Sequence, residues 1–173
     1  MTYPTTAHTL LDNIEANLRG VRARVGERLV LAAVKANAYG HGAVAVAAMI
    51  EQRKAADWLG VATVDEGRQL RRAGVSLPIL KLSPTRGGDE VSRALASALT
   101  LSVVDAESVD EVARVAERVG LTGVAVHLKI DTGMSRLGLR PEHVPAAIEA
   151  LAQHPGVQLT GLCTHLAEAD GEE

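Results

Sequence analysis

Apolar positions fall into two alternating kinds of segment along the chain. Short, nearly continuous apolar runs of strand length occur at 29–36 (LVLAAVKA), 58–63 (WLGVAT), 77–82 (LPILKL), 99–104 (LTLSVV), 124–130 (VAVHLKI) and 157–165 (VQLTGLCTH). Runs without a regular polar alternation suit strands covered on both faces. Between them lie amphipathic stretches: GHGAVAVAAMIEQRKAA, VDEGRQLRRAG, GDEVSRALASA, ESVDEVARVAERVG and RPEHVPAAIEALAQHPG. Gly74, Gly120 and Gly156 stand where helix C-termini favour glycine. A leading helix is predicted over roughly 6–22, with Leu10, Leu11, Ile14 and Leu18 near helical spacing.

The repeat is β-α every 20 to 35 residues or about that, the pattern of a parallel sheet with crossover helices. The class is therefore α/β. A (β/α)8 TIM-type barrel needs eight such units and about 250 residues. Six strand runs in 173 residues leave two readings, an open sheet or an incomplete barrel with about six of eight β/α units. No Pro/Gly/Ser-rich linker divides the chain, so residues 1–173 read as one domain or one piece of one.

Composition narrows the function classes. Hydrophobic residues make up 47% and charged residues 23%, which places the chain among globular proteins. Aromatics are 2% with no Phe, so Ala, Val and Leu must fill the core, as a layered structure with close helix-to-sheet spacing allows. A net charge of −3 speaks against general nucleic-acid or anionic-membrane binding, which needs clustered Lys and Arg. The single cysteine, Cys163, cannot form an internal disulfide and suits a reducing compartment. The opening stretch MTYPTTAHTLLDNIEANLRG carries early acidic residues and no long apolar run, so neither a signal peptide nor a membrane span is expected. Cytoplasm is the expected location.

One charge stands out against the strand pattern. In LVLAAVKANAYGHG, alternation puts Leu31, Ala33 and Lys35 on one face and Val34 and Ala36 on the other. Lys35 would then point inward near the C-terminal end of its strand, where barrel sites form. A poorly hydrated lysine holds more free amine, the form that attacks an aldehyde or takes a proton. The plain alternative is a stem packed on the sheet with its ammonium in water. The following Tyr39, Gly40, His41 and Gly42 add a hydroxyl, glycines that permit close backbone approach, and helix-opening amides, all suited to a phosphate. An imine-forming amine one loop from a phosphate cradle fits pyridoxal 5'-phosphate.

VKANAYGHG (34–42) resembles the cofactor-lysine motif of the bacterial alanine racemases, and HLKIDTGMSRLG (127–138) and GLCTHLAEAD (161–170) resemble later segments of that family in matching order. The resemblance covers essentially the whole chain as the N-terminal part of a longer enzyme. It implies an incomplete TIM-type barrel and a pyridoxal-phosphate-dependent isomerase that interconverts L-alanine and D-alanine, supplying D-alanine for peptidoglycan. It further implies that Lys35 forms the imine with the cofactor and serves as acid/base on one face of the alpha carbon, while Tyr39 holds the phosphate. Arg136 would reach the cofactor's phenolic oxygen and the substrate carboxylate, as a forked, permanently charged donor can. His165 would stand beside the cofactor, and Lys129, carbamylated in many members, would orient Arg136. The opposite base is expected from a tyrosine of a C-terminal β-domain delivered across a homodimer, so the chain alone is expected to turn over little or no alanine.

Read without the resemblance, Arg136 is a surface ion-pair residue and His165 a core histidine bonded to backbone. Strand alternation puts His127 and Lys129 on one face, and likewise Cys163 and His165. Cys163 reads as packing, since nothing near it in sequence activates a thiolate. Asp131 and Asp170 show no metal-ligand spacing, so no metal is expected. The competing functional class is a non-catalytic pyridoxal-phosphate-binding barrel protein, which would share Lys35 but not turnover.

Overall fold

The structure, a computed structural model, describes residues 5–171. Six strands, β1 (Leu31–Ala33), β2 (Trp58–Val61), β3 (Ile79–Pro84), β4 (Thr100–Val103), β5 (Val124–Lys129) and β6 (Val157–Cys163), form one parallel sheet in chain order. Helix α1 (Leu11–Val25) precedes β1, and α2 (Lys35–Tyr39) and α3 (Ala43–Arg53) follow it. Later connections carry α4 (Val64–Arg72), α5 (Gly88–Ala96), α6 (Ala106–Arg118) and α7 (Val144–Ala152), the last after a 3-10 turn at Pro141–His143. The alternation expected from the hydrophobic pattern is present strand for strand.

The reason is visible in the burial. Leu59, Val61, Ile79, Leu101, Val103, Val126 and Leu128 point to the helical side and are wholly buried, with Ile50, Leu70, Val91 and Val112 of the helices in the same core. Each such side chain stabilises the fold by about 1.5–3 kcal/mol relative to exposure. Small residues let the layers close: a Cβ on Gly67 would stand 2.7 Å from Leu99. Capping boxes at Thr63 and Asp105 start α4 and α6 and fix where those helices leave their strands.

The other face of the sheet is concave. Two strands lie between β2 and β5 boundaries only as β3 and β4, which in a flat sheet would separate them by roughly 14 Å. The rings of Trp58 on β2 and His127 on β5 nevertheless stand 5.5 Å apart between centroids. Lys129 Nζ on β5 likewise donates to Leu82 O on β3 at 3.2 Å, across β4. The sheet therefore curls around this side, as barrel staves do. β1 and β6 are its two edges, and Leu31 and Leu162 on them are 36% and 62% exposed.

Some expected boundaries shift. Helix α1 begins at Leu11, not near residue 6, because even Leu10 remains mostly exposed and the segment before it has no buried face. It runs on to Val25 and stops at Gly26, whose φ is 66°. Gly74 and Gly120 follow their helices at φ 87° and 70°, as expected, whereas α7 ends at Ala152 on a right-handed Gln153. Gly156 instead precedes β6. β6 ends at Cys163, which leaves His165 beyond the strand, and β1 ends at Ala33 rather than Ala36.

Candidate active site

The early end of β1 has a specific cause. Val34 turns out of extended geometry, and Ala36, Asn37, Ala38 and Tyr39 then take φ of 50°, 56°, 53° and 52°. This is one turn of left-handed helix built without glycine, where each L-residue costs about 1–2 kcal/mol. Local bonds hold it. Ala38 N–H donates to Val34 O at 2.8 Å, Gly40 N–H to Ala36 O at 3.1 Å, and Gly42 N–H to Asn37 O at 2.9 Å. The Asn37 side chain accepts from the Ala43 N–H at 2.9 Å, so the first amide of α3 is already taken.

Lys35 opens this turn and is half-buried, so the expectation of a strand-face lysine is corrected: it projects from a turn at the strand's end. Its Nζ lies 5.9 Å from the centre of the exposed Tyr39 ring, a cation–π distance. Gly40 and Gly42 have φ of 89° and 90°, and a Cβ on either would meet nothing within 4 Å. The space over both glycines is therefore open.

Four strands on, Lys129 ends β5 on the concave face and is buried, as its strand position predicted. Among the described residues no carboxylate lies within ion-pair distance of it, and its hydrogen-bond partner is Leu82 O. His127 sits one layer deeper, tilted on Trp58, and burial holds its imidazole below the usual histidine range. Gly161 pairs with it on β6, where a Cβ would come within 2.7 Å of His127 Nε2. Cys163 pairs with Lys129, and burial pushes its thiol up, which suits packing better than nucleophilic use.

Arg136 lies in a pinched loop. The loop leaves after Ile130 and returns at Leu139, closed by Asp131 N–H to Leu139 O at 2.7 Å and Leu139 N–H to Lys129 O at 2.8 Å. Gly138 permits that pinch, since its Cβ would stand 2.7 Å from the Asp131 nitrogen. Asp131 accepts from the amides of Ser135 at 2.9 Å and Gly133 at 3.0 Å, and these bonds hold its carboxyl below the usual range. Arg136 and His165 are both exposed. Their contact with Lys35 or Lys129 is not among the side-chain bonds of the described residues, so the structure brings these groups to one end of the sheet without joining them.

A polar belt, unforeseen from sequence, ties the strand ends together. Glu66 accepts from the amides of Ala36 and Ala62, each at 2.7 Å, and of Thr63 at 3.0 Å. Ser83 Oγ donates to Ala62 O at 2.6 Å, and the buried Lys81 donates to Pro84 O at 2.9 Å and Ser83 O at 3.1 Å. Burial holds the Lys81 ammonium below the usual lysine range. The Thr63-x-x-Glu66 spacing signals a helix start, but only the fold reveals that Glu66 also reaches Ala36. Among the described residues no cluster of three His, Cys, Asp or Glu is placed to hold a metal, and no helix is long and apolar enough to cross a membrane.

At the C-terminal strand ends, then, an accessible amine and a phenol flank open backbone, with basic Lys129, Arg136 and His165 on the neighbouring strand ends and loop. The nearby acids Glu66 and Asp131 direct their oxygens to amides. The family model of the alanine racemase N-terminal domain matches residues 10–173. An alanine racemase of Cutibacterium acnes is 46% identical over 172 residues, covering 98% of this chain and 45% of its own length. The alanine racemase of Clostridium difficile, solved in complex with cycloserine, superposes with a TM-score of 0.88 at 37% identity, covering 98% of this chain and 46% of that one. A histidine racemase of Leuconostoc mesenteroides superposes at 0.84 with 29% identity, covering 92% and 42%. The chain spans about half the length of the curated relatives it matches. The motif at 34–42, the six-stranded curled sheet and these matches agree, and the chain belongs to the alanine racemase family, of which it carries the N-terminal barrel portion.

Proposed function

We propose that the chain is the cofactor-lysine part of a cytoplasmic alanine racemase that binds pyridoxal 5'-phosphate through Lys35. The observation that carries this reading is the half-buried Lys35 amine at the end of β1, beside Tyr39 and the open space over Gly40 and Gly42. The residues present fit the group: an amine for its aldehyde, a phenol and unobstructed backbone for its phosphate, and basic side chains at the same end of the sheet for its anionic oxygens. When bound, pyridoxal phosphate supplies an electron sink for the charge left as the alpha proton departs.

In this reading Lys35 would take the alpha proton from one face when one enantiomer is the substrate and deliver a proton to that same face when the other is, with the second base serving the opposite face. Tyr39 donates its hydroxyl to the phosphate. Arg136 binds the phenolic oxygen and the substrate carboxylate, its loop held in shape by Asp131. His165 stands on the β6 side. Lys129 carries a carbamate that turns its charge negative and orients Arg136, which intact mass measurement would detect. The second base is a tyrosine of the remainder of the enzyme, delivered across a homodimer, so these 173 residues alone bind cofactor but turn over little alanine.

Borohydride reduction after incubation with pyridoxal phosphate, followed by peptide mass spectrometry, tests the reading. Label on Lys35, lost in Lys35→Ala, is the expected result; no label at Lys35 refutes it. Racemisation of alanine by the longer enzyme, measured beside histidine because of the histidine racemase likeness, decides the substrate. Trapped cofactor without turnover of any amino acid by that longer enzyme would favour a non-catalytic carrier.

A further inference from the structure

The turn that presents Lys35 consists of four successive non-glycine residues with φ between 50° and 56°. Such backbone persists where its surroundings over-determine it. Its internal bonds close the turn on itself. Just ahead of it Val34 N–H donates to Gly60 O of β2 at 2.8 Å, and one side chain reaches the turn itself. Glu66 Oε1 accepts at 2.7 Å from the N–H of Ala36, the first amide after Lys35 and 30 positions upstream.

That contact is not needed to cap α4. The capping box is complete with Glu66 N–H donating to Thr63 Oγ1 at 3.2 Å and Thr63 N–H donating to Glu66 Oε2 at 3.0 Å. The remaining oxygen serves another strand. Oε2 also takes the Ala62 N–H at 2.7 Å, and Ser83 holds Ala62 O in turn, so the anchor on the β2 side is itself braced against β3. A carboxylate accepts on both oxygens at once; an amide of the same shape has one acceptor and would set its NH2 against the amides on the other side.

We propose that Glu66 is a positioning residue for Lys35: its carboxylate clamps the left-handed turn to the end of β2 and so fixes where the amine stands. The role as stated rests on Lys35 being the cofactor-binding amine, and Glu66 acts through backbone without touching cofactor or substrate. Removing it frees the turn while the sheet beneath stays intact.

The test compares Glu66→Gln with Thr63→Ala, which weakens the same cap but leaves the Ala36 contact in place. In the cofactor-free chain, amide hydrogen exchange in residues 36–43 should quicken about tenfold or more in Glu66→Gln, the scale of a lost charge-assisted bond. Thr63→Ala should leave that segment unchanged, and β3 to β5 should be unchanged in both. Competitive acetylation at a single pH, with exposed Lys54 as internal reference, reads access to the amine: labelling of Lys35 relative to Lys54 should rise in Glu66→Gln alone. The proposal is overturned if exchange in 36–43 is the same as in the unaltered chain, if both variants loosen it equally, or if the Lys35 to Lys54 labelling ratio stays the same. Neither measurement uses pyridoxal phosphate, so failure of Lys35 to trap that cofactor would count against the functional reading and leave the clamp to be decided by exchange and acetylation.

Discussion

Replacing Ala36 by glycine should stabilise this protein, the reverse of the usual effect in a helix. Ala36 is exposed and sits at φ 50°, ψ 49°, so its methyl has little burial to lose. An L-residue in that conformation costs about 1–2 kcal/mol, which glycine relieves. Against this, the greater freedom of glycine in the unfolded chain costs roughly 0.4–1 kcal/mol. The balance is a gain of about 0.5–1 kcal/mol, because the backbone bonds from Ala36 N–H to Glu66 and from Gly40 N–H to Ala36 O do not involve the methyl. Urea unfolding should show a raised midpoint with an unchanged slope. Ala45→Gly is the matched control: it is also exposed but lies in the right-handed α3, where the loss should be about 1 kcal/mol. A loss at Ala36 as large as that at Ala45 would refute the left-handed turn.

Two further outcomes follow from the concave face. Gly161→Ala brings a methyl within 2.7 Å of His127 Nε2, and shifting that ring off Trp58 should lower stability by about 1–3 kcal/mol in the same assay, while His127→Ala in the same background should relieve the clash. Stability should also fall as pH drops below about 6.5, because burial lowers the folded His127 pKa and the unfolded chain then binds a proton that the native state lacks. The slope stays below about 1.4 kcal/mol per pH unit, the limit for one proton; His127→Leu should remove this component, and an unchanged slope in that variant would assign it to another group.

The sheet is legible because the side that meets the helices is apolar in most strands, Lys81 of β3 excepted, so Leu59, Val61, Leu101 and Val103 announce themselves locally. Lys129 was placed correctly for the same reason: alternation within β5 survives to its last residue. The end of β1 was not legible. Val34 is buried and continues the apolar run, yet the backbone has already left the strand, and Ala and Tyr have no preference for left-handed geometry. Asn37, Gly40 and Gly42 signal a turn, but not its hand. His165 was assigned to a strand by hydrophobic continuity through Leu162 and Cys163, whereas pairing with β5 stops at Cys163 because β5 itself ends at Lys129. The Glu66 contact and the Trp58–His127 stack are non-local, joining groups whose proximity depends on the curl of the sheet.

The sheet order carries a consequence for how the chain assembles as it is made. Because β1 to β6 neighbour one another in the sequence in which they leave the ribosome, every pairing closes a short loop, and no strand waits for a distant partner. Growth can proceed from one edge, each β/α unit docking on the one before it. The turn bearing Lys35 belongs to the earliest of these steps: its last tether, Glu66, lies only 30 positions beyond Ala36. The strained backbone of the candidate site can therefore be set before β3 exists, at a stage when few competing contacts are available to trap it in another shape.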